Sequence, residues 1–232
     1  FDGFPPRSMF KYGNSLWIGV NNGIFIFDIE NQSFSEFEKV NEFESFREAK
    51  VHFIEKEGDN YLWLGTDKGL FLGHLENGII ARYGNMESED FYLPATNFYH
   101  ISEAIKGGYW LATTEGLIHW KSPALPPNPL KGEPQPTSHE SEAGGGSPLG
   151  VRGERWRHIT SLPTTEILAA YEDDFGFVWM STPHGLIQWQ IETGLSKMYK
   201  KEDGLGSSGL QEYAHIKTSD GTLYLGGFDG FN

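Results

Sequence analysis

The chain has 232 residues, 32 Asp+Glu against 18 Lys+Arg, a formal net charge of -14 and no cysteine. That balance argues against nucleic acid as a partner, because phosphate contacts need clustered Lys and Arg; the lack of Cys removes disulfides and thiol chemistry. No run of about 18 apolar residues is present, so no helical membrane span is expected.

In chain order one phrase recurs five times: Leu16-Trp17-Ile18-Gly19 with Gly23, Leu62-Trp63-Leu64-Gly65 with Gly69, Tyr109-Trp110-Leu111-Ala112 with Gly116, Val178-Trp179-Met180-Ser181 with Gly185, and Leu223-Tyr224-Leu225-Gly226 with Gly230. Trp17, Trp63 and Trp110 stand 46 and 47 residues apart, and Trp179 and Tyr224 stand 45 apart. A fixed period of about 40–50 residues with short strands and a Trp/Gly signature predicts β-propeller blades.

The second repeat predicts a whole blade. Lys50 to Glu55 reads as a first strand, Glu57-Gly58-Asp59-Asn60 as a turn, and Tyr61 to Thr66 as a second strand. Asp67-Lys68-Gly69 is a tight turn whose glycine needs left-handed geometry. Leu70 to Leu75 is a third strand, Glu76-Asn77-Gly78 a hairpin turn and Ile79 to Tyr83 a fourth strand. The second strand is apolar on both faces, so neighbouring blades must cover both. The anchors Trp17, Trp63, Trp110, Trp179 and Tyr224 are expected between sheets, with ligand stacking as the alternative.

The period breaks once. Trp110 and Trp179 are 69 residues apart, and Pro123 to Gly153 holds seven of the twelve prolines and six glycines. This segment is expected to be irregular and to replace the hairpin between third and fourth strands of blade three. Its wording resembles a translated mobile repeat element. The expected organisation is blades one to three over 1–121, an insertion over 122–153, and the end of blade three, blade four and a partial blade five over 154–232. The expected fold class is therefore an all-β, incomplete propeller of about four and a half blades built from four-stranded antiparallel sheets.

Loops joining second and third strands should share one face around the propeller axis. They carry Asn21-Asn22, Asp67-Lys68, Thr114-Glu115, Pro183-His184 and Phe228-Asp229. Asn22, Asp67, Lys68, Glu115, His184 and Asp229 are the candidate ligand-binding residues; the alternative is that polar residues stand there because tight turns are wet. His52, His100 and His215 fall on first strands. They lie 11, 10 and 9 residues before their anchors, and a one-residue slip turns a strand side chain to the other face, so no metal site is expected. Asp174-Phe175-Gly176 matches a kinase triplet without the other kinase motifs, and Asp174 to Trp179 resembles a sialidase Asp-box without the converging arginines that such an enzyme needs. No catalytic residue and no cofactor is expected.

The repeats resemble the two-component regulator propeller family. The passage Glu172-Asp173-Asp174-Phe175-Gly176-Phe177-Val178-Trp179-Met180-Ser181-Thr182-Pro183-His184-Gly185-Leu186 follows that family's typical repeat. Lys201-Glu202-Asp203-Gly204-Leu205 is similar to its inter-blade link, Phe1-Asp2-Gly3-Phe4 looks like a worn copy of that link, and Ser219 to Asn232 is similar to its final blade. The resemblance implies an extracytoplasmic or periplasmic sensor of a hybrid two-component system, with further blades and an immunoglobulin-like domain as partners and an oligosaccharide or peptide as ligand. Phe1 starting within a turn, with no signal peptide ahead of it, suggests a fragment of such a sensor. A glycan-active propeller enzyme and a non-catalytic interaction scaffold are the alternatives.

Overall fold

In the computed structural model the described residues are 5–85, 92–121 and 156–231. The proposed link Phe1-Asp2-Gly3-Phe4, the whole 122–153 insertion and Asn232 lie outside them. The described residues form an all-β arrangement of five small antiparallel sheets, one per repeat, set as the blades of a propeller. Blade one is β1 (Ser8–Tyr12), β2 (Ser15–Val20), β3 (Gly23–Asp28) and β4 (Ser33–Glu36). Blade two is β5 (Val51–Glu57), β6 (Tyr61–Thr66), β7 (Gly69–His74) and β8 (Gly78–Tyr83). Blade three is β9 (Phe98–Glu103), β10 (Tyr109–Thr113), β11 (Gly116–Trp120) and β12 (Trp156–Ile159), and blade four is β13 (Ala169–Glu172), β14 (Phe177–Thr182), β15 (Gly185–Gln190) and β16 (Ser196–Tyr199). Blade five has three strands: β17 (Leu210–Lys217), β18 (Leu223–Gly227) and β19 (Gly230–Phe231).

Blades two, three and four close their second turn in the same way. Thr66 Oγ1 donates to the Gly69 carbonyl at 2.8 Å and accepts from Lys68 N at 2.9 Å. Thr113 with Gly116 and Glu115, and Thr182 with Gly185 and His184, repeat this pair of bonds. All three threonines are buried, so the hydroxyl satisfies turn groups that water does not reach. Gly69 sits at φ 128° beside the Tyr83 carbonyl, a position closed to a side chain.

Apolar clusters seal three joints. Trp17, Phe37, Phe46, Leu62, Leu64 and Phe71 join blades one and two; Phe53, Trp63, Leu72, Phe98, Leu111 and Trp120 join two and three; Trp110, Ile159, Val178, Met180 and Trp189 join three and four. A carboxylate completes two of them. Glu57 Oε2 accepts from Trp63 Nε1 at 2.9 Å and from the Tyr109 hydroxyl of the next blade at 2.5 Å. Blade three has Ala104 at the matching position, and Glu172 of blade four reaches back instead, accepting from Trp110 Nε1 at 2.7 Å and Ile105 N at 3.0 Å.

Two expectations need correcting. Trp17, Trp63 and Trp110 are buried, but Trp179 is only half-buried and Tyr224 is 43 % exposed. The reason is the joint between blades four and five, which no comparable apolar cluster seals among the described residues. β11 and β12 pair in register, Trp120 opposite Trp156.

Candidate ligand site at the axial mouth

The first strands β5, β9, β13 and β17 begin on the face that carries the β2–β3 type turns. Lys50 N donates to Asp67 Oδ1 at 2.9 Å, Thr114 N to the Asn97 carbonyl at 3.4 Å, and Ile167 N to the Thr113 carbonyl at 3.0 Å. Near these strand starts a polar aromatic cluster gathers. Arg7, just before β1, donates from Nε to Asn21 Oδ1 at 2.6 Å and from Nη1 to the Tyr213 hydroxyl at 2.6 Å, and lies 3.6 Å from Glu212. The same hydroxyl lies 2.6 Å from His52 Nδ1. The His52 and Tyr213 rings stack 5.7 Å apart at 11°, and Tyr99 lies 5.0 Å from His52.

A second group lies alongside. The Tyr171 hydroxyl and His215 Nδ1 share a hydrogen bond of 2.8 Å, and the His100 and His215 ring centroids are 4.6 Å apart. The three histidines, which the sequence left on uncertain faces, thus lie in two neighbouring groups, His52 in the first and His100 with His215 in the second. While His100 and His215 keep regular pairs with Ala112 and Leu225, register irregularities occur in all three strand pairs. They fall between Val51 and Phe53 of β5, opposite Ala112/Thr113 in β9, and between Leu210 and His215 of β17. A bulge adds one residue and re-aims a side chain. Within the β17 irregularity Tyr213 holds φ 61°, a left-handed conformation costly for an aromatic residue.

Burial decides the protonation states. It lowers His52 to about 4, with the Arg7 charge adding to the effect, and lowers His215 to about 4. Burial and then the neighbouring His215 hold His100 well below the usual histidine range. Burial also pushes Tyr99 up to about 12, and pushes Tyr213 and Tyr171 higher still. Near neutrality the cluster therefore consists of neutral imidazoles and protonated phenols, with Arg7 and Glu212 as its partly accessible charges. His52 Nε2 and Asn97 Oδ1, both shielded from solvent, lack an aligned hydrogen-bond partner. Among the described residues no group of three or more His, Asp or Glu is arranged to hold a metal ion.

The six residues chosen from sequence lie on the turns as expected, one or two per blade, and are mostly engaged locally. Asp67 caps Lys50 N; Lys68 lies 3.5 Å from Glu48 and its carbonyl accepts from Arg82; Glu115 accepts from Thr96 and Thr114. Asp229 lies 3.5 Å from Lys201, while Asn22 and His184 are exposed. No bond between any two of the six appears among the described residues. Arg7, Tyr99, Tyr171, Glu212 and Tyr213 were missed. The only sequence signal for them was an aromatic or charged residue near the start of a first strand.

No family model matches the sequence, and no curated protein matches it. Among solved structures, the extracellular domain of a hybrid two-component system from B. thetaiotaomicron superposes with a TM-score of 0.65 at 19 % identity, over 98 % of this chain and 27 % of its own length. A second such extracellular domain from B. thetaiotaomicron gives 0.61 at 16 %, over 97 % and 26 %. PorZ, a surface component of the type-IX secretion system of Porphyromonas gingivalis, gives 0.54 at 13 %, over 97 % and 31 %. The chain spans between a quarter and a third of the length of these structures. At such identities the likeness concerns the fold: this chain is built as the propellers of two-component extracellular domains are built.

Proposed function

We propose that the chain is part of a non-catalytic, extracytoplasmic sensing propeller that binds an oligosaccharide or peptide ligand at the axial mouth. The observation that carries this reading is the Arg7–Tyr213–His52 network. It joins three blades, keeps an aromatic residue in a costly backbone conformation, and stands on the face lined by the Asn22, Asp67, Lys68, Glu115, His184 and Asp229 turns. Strained, over-determined residues concentrate at ligand clamps. Neutral imidazoles, phenols and one guanidinium suit recognition of hydroxyl and amide groups. They do not suit proton transfer, since neither His52 nor Tyr213 titrates near pH 7. The similarity to extracellular domains of two-component systems supports the sensing role and the location, with further blades and an immunoglobulin-like domain as natural partners.

The test is an oligosaccharide and peptide array followed by calorimetry on the hits. Tyr213→Phe removes one hydroxyl and should weaken binding about tenfold or more while the fold persists. Asp67→Ala, Glu115→Ala and His184→Ala report on the rim. Unchanged affinity in Tyr213→Phe and in all three rim variants would remove the site from this face. Turnover of a bound oligosaccharide, followed chromatographically, would replace the sensing reading with an enzymatic one.

A further inference from the structure

We draw no further inference here: the strongest candidate, the exposed apolar side chains of Ile105, Phe175 and Leu195 on the turns of blades three and four that face away from the axial mouth, is an unpartnered surface, and nothing in the structure shows what covers it.

Discussion

Acidification should weaken this propeller, and the histidines of the axial network set the window. An unfolded histidine titrates near 6.5, whereas burial holds His52 and His215 at about 4 in the folded chain. The folded state thus prefers the neutral ring. The stability this preference contributes is complete above pH 6.5 and is lost progressively as pH falls toward 4, because the unfolded chain takes up protons first. At about 1.4 kcal/mol per pH unit, moving from pH 7.5 to 5 costs about 2 kcal/mol for each of the two residues. His100 acts in the same direction, and so does His119, lowered by burial beside Trp110. Glu55 opposes them: burial raises its carboxyl, so acidification relieves part of its cost. Asp28 and Asp220 are lowered by local hydrogen bonds and titrate below this window. Urea unfolding followed by tryptophan fluorescence at pH 7.5, 6.5, 5.5 and 5.0 measures the slope. The wild-type chain should lose about 4 kcal/mol or more, and His52→Gln or His215→Gln should each remove about 2 kcal/mol of that loss. Flat stability across the range, or identical slopes in the variants, would refute the assignment of these rings as buried and neutral.

Other perturbations separate strong joints from weak ones. Glu172→Ala leaves the buried Trp110 indole N–H and the Ile105 amide without an acceptor and should cost about 3 kcal/mol in chemical denaturation. Trp63→Ala should cost about 3–5 kcal/mol, whereas Trp179→Ala, at a half-buried position, should cost less than half as much. Gly65→Ala directs a methyl group into the Phe53 ring and should destabilise by about 1–3 kcal/mol, read as a lower melting midpoint. Replacing residues 122–155 with a four-residue hairpin turn should preserve cooperative melting and raise its midpoint, since shortening a loop more than about eightfold returns up to ~2 kcal/mol of closure entropy.

The blade plan was readable because each repeat carries its own punctuation. The Trp strand needs two apolar faces, and the glycine six residues after the anchor needs a left-handed turn; both are local and recur at fixed spacing. The buried threonines before that glycine, at 66, 113 and 182, were equally visible as residues, but their double hydrogen bond depends on the turn they help to make. The axial network was not legible for a physical reason. Counting from the anchor assumes unbroken two-residue periodicity, and irregularities break it at His52 of β5, at Tyr99 of β9 and before Tyr213 of β17 is reached. The rim residues were placed on the correct turns, yet spacing cannot show that Asp67 caps Lys50 N or that Glu115 is held by two threonines. Trp179 illustrates the opposite limit. Its phrase matches those of Trp63 and Trp110, but among the described residues no third-strand Trp of the next blade packs on it as Trp120 and Trp189 pack on those two.

The two kinds of joint have different mechanical consequences. Those linking blades one to four are apolar clusters, and hydrophobic contact is non-directional and insensitive to pH or to a polar ligand. Blade five is tied to its neighbours largely through directional bonds: Arg7 and His52 to Tyr213, Tyr171 to His215, and Lys217 Nζ to the Glu172 carbonyl at 3.0 Å. Such bonds are individually worth only about 0.5–1.5 kcal/mol net, because water competes for the same groups when they are freed. Losing one of these bonds, as on protonation of His52 or in Tyr213→Phe, should therefore loosen blade five before the apolar joints yield, and amide exchange over β17 and β18 should rise while that over β6 and β10 does not; equal exchange in all four strands would refute the distinction between the two kinds of joint.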